Sequence, residues 1–475
     1  MPAGGKADWL AGQLRQAIAD GRLAVGDRLP PTRVLAAELR LSRGVVTEAY
    51  RRLAEDGHVE GRRRGGTVVV AAPHSVPAAP CAPEPPAPGA AHRAVPGALF
   101  AAEPDADVFD LLRAAPAHAD FTPGRPALAA FPRAAWLRAE RAVLAELSAD
   151  QLGYGDPRGD LRLRRAVAGW LARNRGIRVR PEQVLIVAGT AQALTLLHPV
   201  LRGDGVDAVA VEDPGSLGSR QHLRHGGLAT PPVPVDGDGV RVDALRATGA
   251  RAVLLTPAHQ FPTGVVTSGE RRRDLLGWAR DGGLILEDDY DAEHRYDRPP
   301  VPALRALTDR VCYLGSVSKL LAPALRTGWM VPPPQYLGPL TDAKRFTDLG
   351  NAVLPQLVLA HLMESGALER HLRLLRGRHR ARRDAMIAAL AEHLPGAVVH
   401  GAAAGLHLTV TYAADVPDTV LAAAALERGV KCQPLSWHRQ RPGRPGLVLG
   451  YAATPPGVIA ESVATLGTAL RELAS

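Results

Sequence analysis

Cysteine is scarce in this chain of 475 residues. The three cysteines, Cys81, Cys312 and Cys432, are odd in number and far apart. They predict neither a disulfide framework nor a zinc site, and they fit a reducing cytoplasm. Long apolar runs are also missing, since no stretch reaches the roughly 18 unbroken apolar residues of a membrane helix. The N-terminus lacks a basic region followed by an apolar core, so we expect no signal peptide.

The composition that is present predicts a globular protein of two or three domains. Hydrophobic residues make up 46% of the chain and charged residues 22%, which is typical of soluble domains. The formal net charge is +9 and the sequence pI is about 9.9. A basic balance favours polyanionic partners, although many basic proteins touch no nucleic acid.

Composition divides the chain into three parts. Residues 1–71 are mixed and periodic. Residues 72–117 are dominated by Ala and Pro, and because proline fixes φ and removes a donor, we expect a semi-rigid extended linker without helix or central strand. Residues 118–475 alternate apolar strand-like runs such as "QVLIVAG", "RAVLLT" and "GLILED" with helical stretches. This alternation predicts an α/β domain around a mostly parallel sheet.

The first part predicts a helix-turn-helix followed by a hairpin. Ser42 is a plausible N-cap, because its hydroxyl can accept from the amides of the first helical turn. The next helix turns Val46, Ala49, Tyr50 and Leu53 to one face and turns Arg43, Thr47 and Arg51 largely away. A short second helix that starts Ser-Arg suits a recognition helix in the major groove. Arg62, Arg63 and Arg64 lead into a Gly-rich turn, the predicted wing.

The stretch "GDRLPPTRVLAAELRLSRGVVTEAYRRLAEDGHVEGRRRGGT" closely resembles the GntR family of bacterial winged-helix regulators. The alternative is a three-helix module that binds protein, and the arginine run alone is also typical of a solvated charge cluster. The resemblance implies promoter DNA as a partner and DNA contacts from Arg33, Ser42, Arg43, Thr47 and Gly66.

In the third part, "YLGSVSKLLAPALRTGW" carries one lysine, Lys319, among groups that suit a phosphorylated aldehyde. A lysine amine forms a Schiff base with an aldehyde when its charge is suppressed. Ser316 and Ser318 offer hydroxyls, and Arg326 offers a fork for bidentate phosphate binding. A helix from Lys319 would align it with Arg326 two turns later, although Pro323 between them favours an irregular segment. The indicated cofactor is pyridoxal 5'-phosphate (PLP).

Two other stretches fit the same cofactor. "VLIVAGTAQALTLL" is a strand, then Gly189, then a helix that opens with Thr190 and Ala191, whose amides could cradle a phosphate. An ordinary strand-to-helix turn explains this stretch equally well. "GLILEDDYDAEHRY" ends a strand in acids, and Asp288 could hold the pyridine nitrogen protonated while Tyr290 donates to the 3-oxygen. A metal site or a solvated acidic turn is the alternative, but no histidine completes a convincing metal cluster, so we expect no metal.

The order of these motifs resembles the fold-type I aminotransferases over roughly residues 120–475. The resemblance implies a large, mostly parallel sheet, a small C-terminal α/β subdomain and a homodimer in which Tyr154 reaches the cofactor phosphate of the other subunit. A GntR-like head on such a body resembles the MocR subfamily of regulators, and "EDPG", "HQFPTG" and "LEDDYDAE" fit that subfamily best. The implied cofactor residues are Thr190, Ala191, Asp288, Tyr290, Ser316, Ser318, Lys319, Arg326 and Tyr154.

The sequence departs from the aminotransferase pattern at three positions. Ser216 stands where relatives carry an aromatic residue that stacks on the cofactor ring, so we expect weaker ring packing. Phe261 replaces an asparagine, as is common in the MocR group. Val448 stands where aminotransferases place the arginine that clamps a substrate carboxylate. Arg444 or Arg220 could substitute for that clamp.

These departures help to distinguish three hypotheses about the function. The first is a bacterial, cytoplasmic transcription regulator that senses PLP or an amine or amino-acid ligand, and so controls vitamin B6 or amino-compound metabolism. The alternatives are an active aminotransferase with a fused DNA-binding head and a DNA-binding scaffold without cofactor. Loss of the clamp at Val448 favours sensing over turnover, and favours the cofactor itself over an amino acid as the signal. Transaminase activity stays an open question at this stage.

Overall fold

The protein is described by a computed structural model that covers residues 5–62, 66–71, 96–101, 103–296 and 301–475. The chain divides into two units, residues 1–92 and residues 93–475, which we call the head and the body. No helix in these described ranges is long and apolar enough to cross a membrane.

The head contains three helices and a hairpin. Their bounds are α1 (Lys6–Ala19), α2 (Thr32–Glu38), α3 (Arg43–Glu55), β1 (Val59–Arg62) and β2 (Gly66–Val69). The face of α3 predicted to point inward is buried, with Val46, Ala49 and Leu53 fully enclosed. Ser42 caps α3 as predicted, since its Oγ accepts from Val45 N at 3.4 Å. The hairpin is antiparallel, and of the predicted wing Arg63 and Arg64 lie outside the described residues.

The prediction that residues 72–117 contain no helix is wrong for the last part of that range. The body begins with α4 (Pro96–Ala101) and α5 (Val108–Ala114), followed by the short strand β3 (Ala119–Asp120). Both helices bury apolar side chains, and the Phe100 ring stacks on Trp437 with centroids 5.1 Å apart. Tertiary packing therefore overrides the composition of the segment. Residues 72–95 and 102 lie outside the described residues.

An eight-stranded sheet forms the centre of the body, in the order β4-β11-β10-β9-β8-β5-β6-β7. Neighbouring strands from β10 to β6 run parallel, whereas β11 and β7 are antiparallel to their neighbours. The predicted mostly parallel sheet is thus confirmed. Its strands are β4 (Leu185–Val187), β5 (Val209–Asp213), β6 (Pro232–Asp236), β7 (Gly239–Val240), β8 (Ala252–Leu255), β9 (Leu284–Asp289), β10 (Val311–Ser316) and β11 (Gly328–Val331).

Helices cover both faces of this sheet. Successive residues of β9, such as Ile285 and Leu286, belong to different apolar clusters, which explains why the parallel strands are apolar almost throughout. The helices associated with this part of the chain are α6 (Arg133–Glu146), α7 (Leu161–Arg175), α8 (Thr190–Gly203), α9 (Leu217–His225), α10 (Val242–Ala247), α11 (Gly269–Arg280), α12 (Pro334–Asp348) and α13 (Val353–Glu364).

The C-terminal part of the body forms a smaller α/β layer, as the aminotransferase resemblance implied. Its four-stranded antiparallel sheet has the order β12-β13-β16-β15, and the separate strand β14 pairs in parallel with β3. The elements are α14 (Ala367–His393), β12 (Val398–His400), β13 (His407–Thr411), α15 (Asp418–Glu427), β14 (Val430–Lys431), β15 (Gln433–Pro434), β16 (Gly446–Gly450) and α16 (Pro456–Ala474).

Candidate functional site

The carboxyl ends of the parallel strands open onto one cavity of about 940 Å³ in the body. Such crevices at the strand ends of α/β sheets are the usual place for ligands. Tyr154 does not line this cavity and is 95% exposed. The other predicted cofactor residues all line it, namely Thr190, Ala191, Asp288, Tyr290, Ser316, Ser318, Lys319 and Arg326.

Lys319 follows β10 by three residues and faces the cavity. Its Nζ donates a hydrogen bond of 2.6 Å to the carbonyl oxygen of Gly124. A Cβ on Gly124 would lie 2.9 Å from that Nζ, and the φ of +81° also favours glycine. Burial lowers the pKa of Lys319, while the charges of Asp291 and Asp288 oppose the shift. The lowered pKa favours the neutral amine, which is the form that attacks a carbonyl carbon.

Asp288 and Tyr290 come from the end of β9, the neighbour of β10 in the sheet. One carboxylate oxygen of Asp288 accepts from Thr190 Oγ1 at 3.3 Å. Burial raises the pKa of Asp288 to about 7. Burial also raises the pKa of Tyr290 well above its ordinary value, so the phenol keeps its proton and can donate it in a hydrogen bond. The pair presents one carboxyl and one phenol to a ring-shaped ligand.

A cluster of donors surrounds the N-terminus of α8. Gly189, at φ +95°, precedes Thr190 and lets the chain turn sharply from β4 into the helix. The guanidinium of Arg326 would lie 3.6 Å from a Cβ on Gly189, and both serines at the end of β10 line the same cavity. The helix amides and the guanidinium together favour a dianion at this point.

Arg326 reaches this cluster through an irregular segment, as Pro323 indicated. The segment after Lys319 contains a short 3₁₀ turn, Pro323–Leu325, and Arg326 then adopts a left-handed φ of +46°. This segment, rather than a continuous helix, brings the two side chains to one cavity. A non-glycine residue in this conformation is strained by roughly 1–3 kcal/mol, which is typical of functional loops.

The donor set fits a phosphorylated pyridine aldehyde. Within the described part of the chain, the Arg326 side chain has no acidic partner, so its charge is free for a phosphate. Gly189 leaves open the space that a side chain would fill beside that guanidinium. Asp288 and Lys319 supply the acid and the amine that the ring and the aldehyde require.

The residues predicted to contact DNA occupy the surface of the head. Arg33 lies on α2, Gly66 begins β2 with φ +73°, and the others belong to α3 or its cap. Arg33, Ser42, Arg43, Thr47 and Gly66 are all exposed. Exposure of the N-terminal end of α3 is what major-groove insertion requires.

Two family models match the chain. The model for bacterial regulatory proteins of the gntR family matches residues 6–69, and the model for aminotransferase class I and II matches residues 125–444. The probable rhizopine catabolism regulatory protein MocR of Rhizobium meliloti is 34% identical over 471 residues, which are 98% of this chain and 93% of that protein. The chain belongs to the MocR subfamily of GntR-family transcriptional regulators. The resemblance inferred from the motifs is thereby confirmed.

Two further proteins are similar to this MocR-type chain. The HTH-type pyridoxine biosynthesis transcriptional regulator PdxR of Corynebacterium glutamicum is 31% identical over 447 residues, covering 94% of this chain and 91% of that protein. LysN, the alpha-aminoadipate aminotransferase of Thermus thermophilus, was solved with N-(5'-phosphopyridoxyl)-L-leucine. It is 31% identical and superposes with a TM-score of 0.68 over 74% of this chain and 92% of LysN. The aminotransferase class supports PLP as the cofactor.

The three residues at which this MocR-type chain departs from the aminotransferase pattern differ in their surroundings. Ser216 lines the cavity, and its Oγ caps α9 by accepting from Ser219 N at 3.2 Å. Phe261 also lines the cavity and packs edge-on against Tyr290 and His438. Val448 is fully buried in β16. The two suggested substitutes for the clamp, Arg220 and Arg444, do not line the cavity.

The sequence did not reveal a buried group formed by His259, Asp291 and His407. It also predicted no metal site. The ligand-capable atoms of these three residues lie within 4.8 Å of one another. His259 Nδ1 lies 3.0 Å from both Asp291 Oδ2 and the Tyr290 hydroxyl, so the group orients Tyr290. His294, which lies in the same acidic motif as Asp288, is outside this group and contacts the carbonyl oxygen of Lys319 at 3.3 Å. His259 and Asp291 are 32 positions apart in the sequence, so no short motif predicts their contact.

Proposed function

We propose that this regulator binds promoter DNA through residues 1–71 and uses the cavity of the body to sense PLP, or an amine that reacts with PLP. Lys319 would hold the cofactor through its side-chain amine. The observation that carries the proposal is the convergence of Lys319, Asp288 and the α8 donor cluster on one cavity of a DNA-binding protein. When bound, PLP supplies an aldehyde that condenses with amines and a ring that withdraws electrons.

Each predicted cofactor residue has a separate task in this proposal. The Asp288 carboxylate pairs with the ring nitrogen, and the Tyr290 phenol donates to the 3-oxygen. The Gly124 carbonyl accepts from Lys319 and so orients its amine towards the cavity. The phosphate is held by the helix amides and by side chains, from Thr190, Ala191, Ser316, Ser318 and Arg326.

Control of transcription requires that the ligand bind two states of the protein with different affinity. In this proposal occupation of the cavity selects one arrangement of the chain and thereby changes DNA affinity. The DNA contacts come from Arg33, Ser42, Arg43, Thr47 and Gly66. The printed names of the relatives offer two candidate roles, pyridoxine biosynthesis for PdxR and rhizopine catabolism for MocR, so we propose control of vitamin B6 or amino-compound metabolism.

We also propose a cytoplasmic homodimer. Tyr154 is 95% exposed and Phe346 is 86% exposed, which is unusual for aromatic side chains without a partner. In the proposed dimer Tyr154 donates its hydroxyl to the phosphate held by the other subunit. Covering these rings would remove apolar surface from water, which stabilises an interface.

Cofactor binding can be tested directly, because the chain has only four lysines. PLP added to the purified protein is expected to give a visible absorbance band that is retained in Lys6→Ala and lost in Lys319→Ala. Borohydride reduction followed by peptide mapping should place the added mass on Lys319. No band in the unmodified protein, or a band that survives Lys319→Ala, would contradict the proposal.

The proposed regulation can be tested by footprinting the protein on the DNA that flanks its own gene. PLP is expected to change the footprint of the unmodified protein and of Lys6→Ala, but not that of Lys319→Ala. A steady release of keto acid from a panel of amino acids, together with a footprint that ignores PLP, would instead support an aminotransferase with a fused head.

A further inference from the structure

The cavity extends beyond the predicted cofactor residues to a second end, which we call the β3–β14 end. It is formed by Asp120, Arg125, Lys431 and Gln433, with apolar walls from Phe109 and Leu112 of α5. None of these residues belongs to the predicted cofactor set.

A strand pairing builds the polar part of this end. β14 pairs in parallel with β3, and the register places Lys431 opposite Asp120. Lys431 Nζ lies 3.8 Å from Asp120 Oδ2 and donates to the carbonyl oxygen of Arg113 at 3.2 Å. The Lys431 side chain is only 5% exposed, so the ammonium is held at a defined position. Arg125 forms an ion pair with the same Asp120 oxygen.

One carboxylate therefore faces two cations. The other oxygen of Asp120 accepts from the amide of Thr122 at 2.9 Å and from its hydroxyl at 2.6 Å, so Asp120 has little capacity left. Asp288, the remaining acid of the cavity lining, belongs to the cofactor end. The β3–β14 end thus carries one positive charge that no acidic residue in the lining balances. Lys431 is buried and the Arg125 side chain is 44% exposed, so an anionic ligand can reach this charge from the cavity.

The position of this charge matters because of two neighbours. Arg125 directly follows Gly124, whose carbonyl oxygen accepts from the amine of Lys319. Lys431 is two residues before Gln433, which pairs with Val448 across the sheet. Arg125 is thus adjacent in sequence to the residue that contacts the reactive amine, and Lys431 is close in sequence to the partner of Val448, the position where aminotransferases carry the carboxylate clamp that this chain lacks.

We propose that Arg125 and Lys431 form an anion subsite that binds the carboxylate of an amino acid while its amine reaches the cofactor at Lys319. This inference rests on the proposed function and names the ligand class, an amine that carries a carboxylate. It differs from the expectation that loss of the clamp at Val448 favours the cofactor itself over an amino acid as the signal. A ligand without an anionic group would leave the positive charge unbalanced.

The test uses the full-length, PLP-loaded protein and a length series of matched ligands. These are glycine, β-alanine, 4-aminobutanoate and 5-aminopentanoate, each paired with its neutral amide of the same size. Binding is followed by the change in visible absorbance and, independently, by calorimetry. For at least one chain length the carboxylate should bind about ten- to a hundredfold more tightly than the amide, as expected for a charge-assisted contact.

Variants assign that preference to the subsite. Lys431→Gln and Arg125→Gln should each reduce the preference about tenfold or more, whereas Lys431→Arg, which keeps the charge, should retain most of it. Arg444→Gln removes an exposed arginine outside the cavity lining and should leave it unchanged. Melting curves of all four variants check folding, and the Arg125 variant tests the subsite if the buried Lys431 tolerates no change.

The outcomes separate this inference from the proposed function. No PLP band that depends on Lys319 would overturn both. A normal PLP band combined with equal binding of every acid and its amide would overturn the subsite alone. A preference for the carboxylate that survives in both glutamine variants would also overturn the subsite and leave PLP binding at Lys319 intact.

Discussion

At the scale of single residues, Lys319 differs from the two other buried lysines of the body. Lys344 donates to Asp348 at 2.8 Å, and Lys431 has Asp120 at 3.8 Å, so each has a carboxylate partner that stabilises the ammonium. Burial lowers the pKa of all three lysines, but Lys319 donates to a neutral carbonyl rather than to a carboxylate. A lysine arranged in this way is suited to reaction with a carbonyl rather than to a structural ion pair.

Which of these residues could be predicted depended on how local their signals are. Lys319, Asp288 and Arg326 stand at recognisable positions in short motifs, so sequence alone assigned them to one site. Arg125 and Lys431 are 306 positions apart, and Lys431 becomes a neighbour of the Asp120–Arg125 pair only through the pairing of β14 with β3. No local motif encodes that register, because it depends on the packing of the whole C-terminal layer.

His379 on α14 is a buried titratable residue, and its burial predicts how the stability of the fold changes at low pH. It is fully buried, and neither ring nitrogen has a hydrogen-bond partner among the described residues. Burial, and then the neighbouring His294, Arg382, His371 and Arg378, lower its pKa to about 3. Between about pH 6.5 and 3 the unfolded chain therefore binds more protons than the folded chain, and stability falls as the pH falls.

His379→Leu should remove this part of the acid sensitivity. At pH 5 the histidine destabilises the native protein by about 2 kcal/mol relative to neutral pH, and the leucine variant should lack that loss. Melting temperatures at pH 7.5, 6 and 5 provide the measurement. Met386→Leu, a packing change at another buried position of the same helix, should shift melting equally at each pH. Parallel pH profiles for His379→Leu and the unmodified protein would contradict the assignment.

At the scale of elements, the predictions succeeded where periodicity and composition agree. The apolar face of α3 and the strands of the large sheet follow directly from their patterns. The helices α4 and α5 escaped prediction, because an Ala- and Pro-rich context is typical of a linker and only packing against the C-terminal layer stabilises them. After Lys319 the sequence indicated an irregular segment at Pro323, but not the left-handed conformation of Arg326 that follows it.

Helix α3 offers a matched pair of arginines for testing the DNA surface. Arg43 is exposed at the N-terminal end of the helix, whereas Arg51 is engaged by Glu48 at 2.6 Å and by Glu55. Arg43→Ala should weaken DNA binding and, if it contacts a phosphate, reduce the slope of log affinity against log salt by about 1. Arg51→Ala should change both quantities much less. Equal effects of the two substitutions in a salt titration would contradict the proposed orientation of α3.

At the scale of the whole molecule, the fusion of two families explains the composition break in the sequence. The gntR model ends at residue 69 and the aminotransferase model begins at residue 125, so the Ala- and Pro-rich stretch lies between them. The architecture was predictable because each part carries its own motifs in order. The association of two chains stays a prediction, and it came only from the aminotransferase resemblance, since an interface leaves no short motif in one sequence. That prediction can be tested by substitution of the exposed Tyr154.

A shared site between two subunits predicts complementation between two defective variants. Lys319→Ala removes the reactive amine, and Tyr154→Ala removes the hydroxyl proposed to reach the partner's phosphate. Because Tyr154 is 95% exposed, its loss should not affect folding of the single chain. In a mixed dimer, the subunit with the intact Lys319 receives an intact Tyr154 from its partner, so one site regains all of its groups and the other loses both.

The measurement is PLP binding by two differently tagged variants that are co-expressed and purified through both tags. At a PLP concentration that leaves Tyr154→Ala largely unloaded, the mixed dimer should bind close to one PLP per dimer with the affinity of the unmodified protein. Removal of one charge-assisted hydrogen bond makes the Tyr154→Ala homodimer about tenfold weaker, which sets the contrast. If Tyr154 served its own subunit, the mixed dimer would bind no better than the two parent variants measured separately, and this result would contradict the proposed contact between subunits.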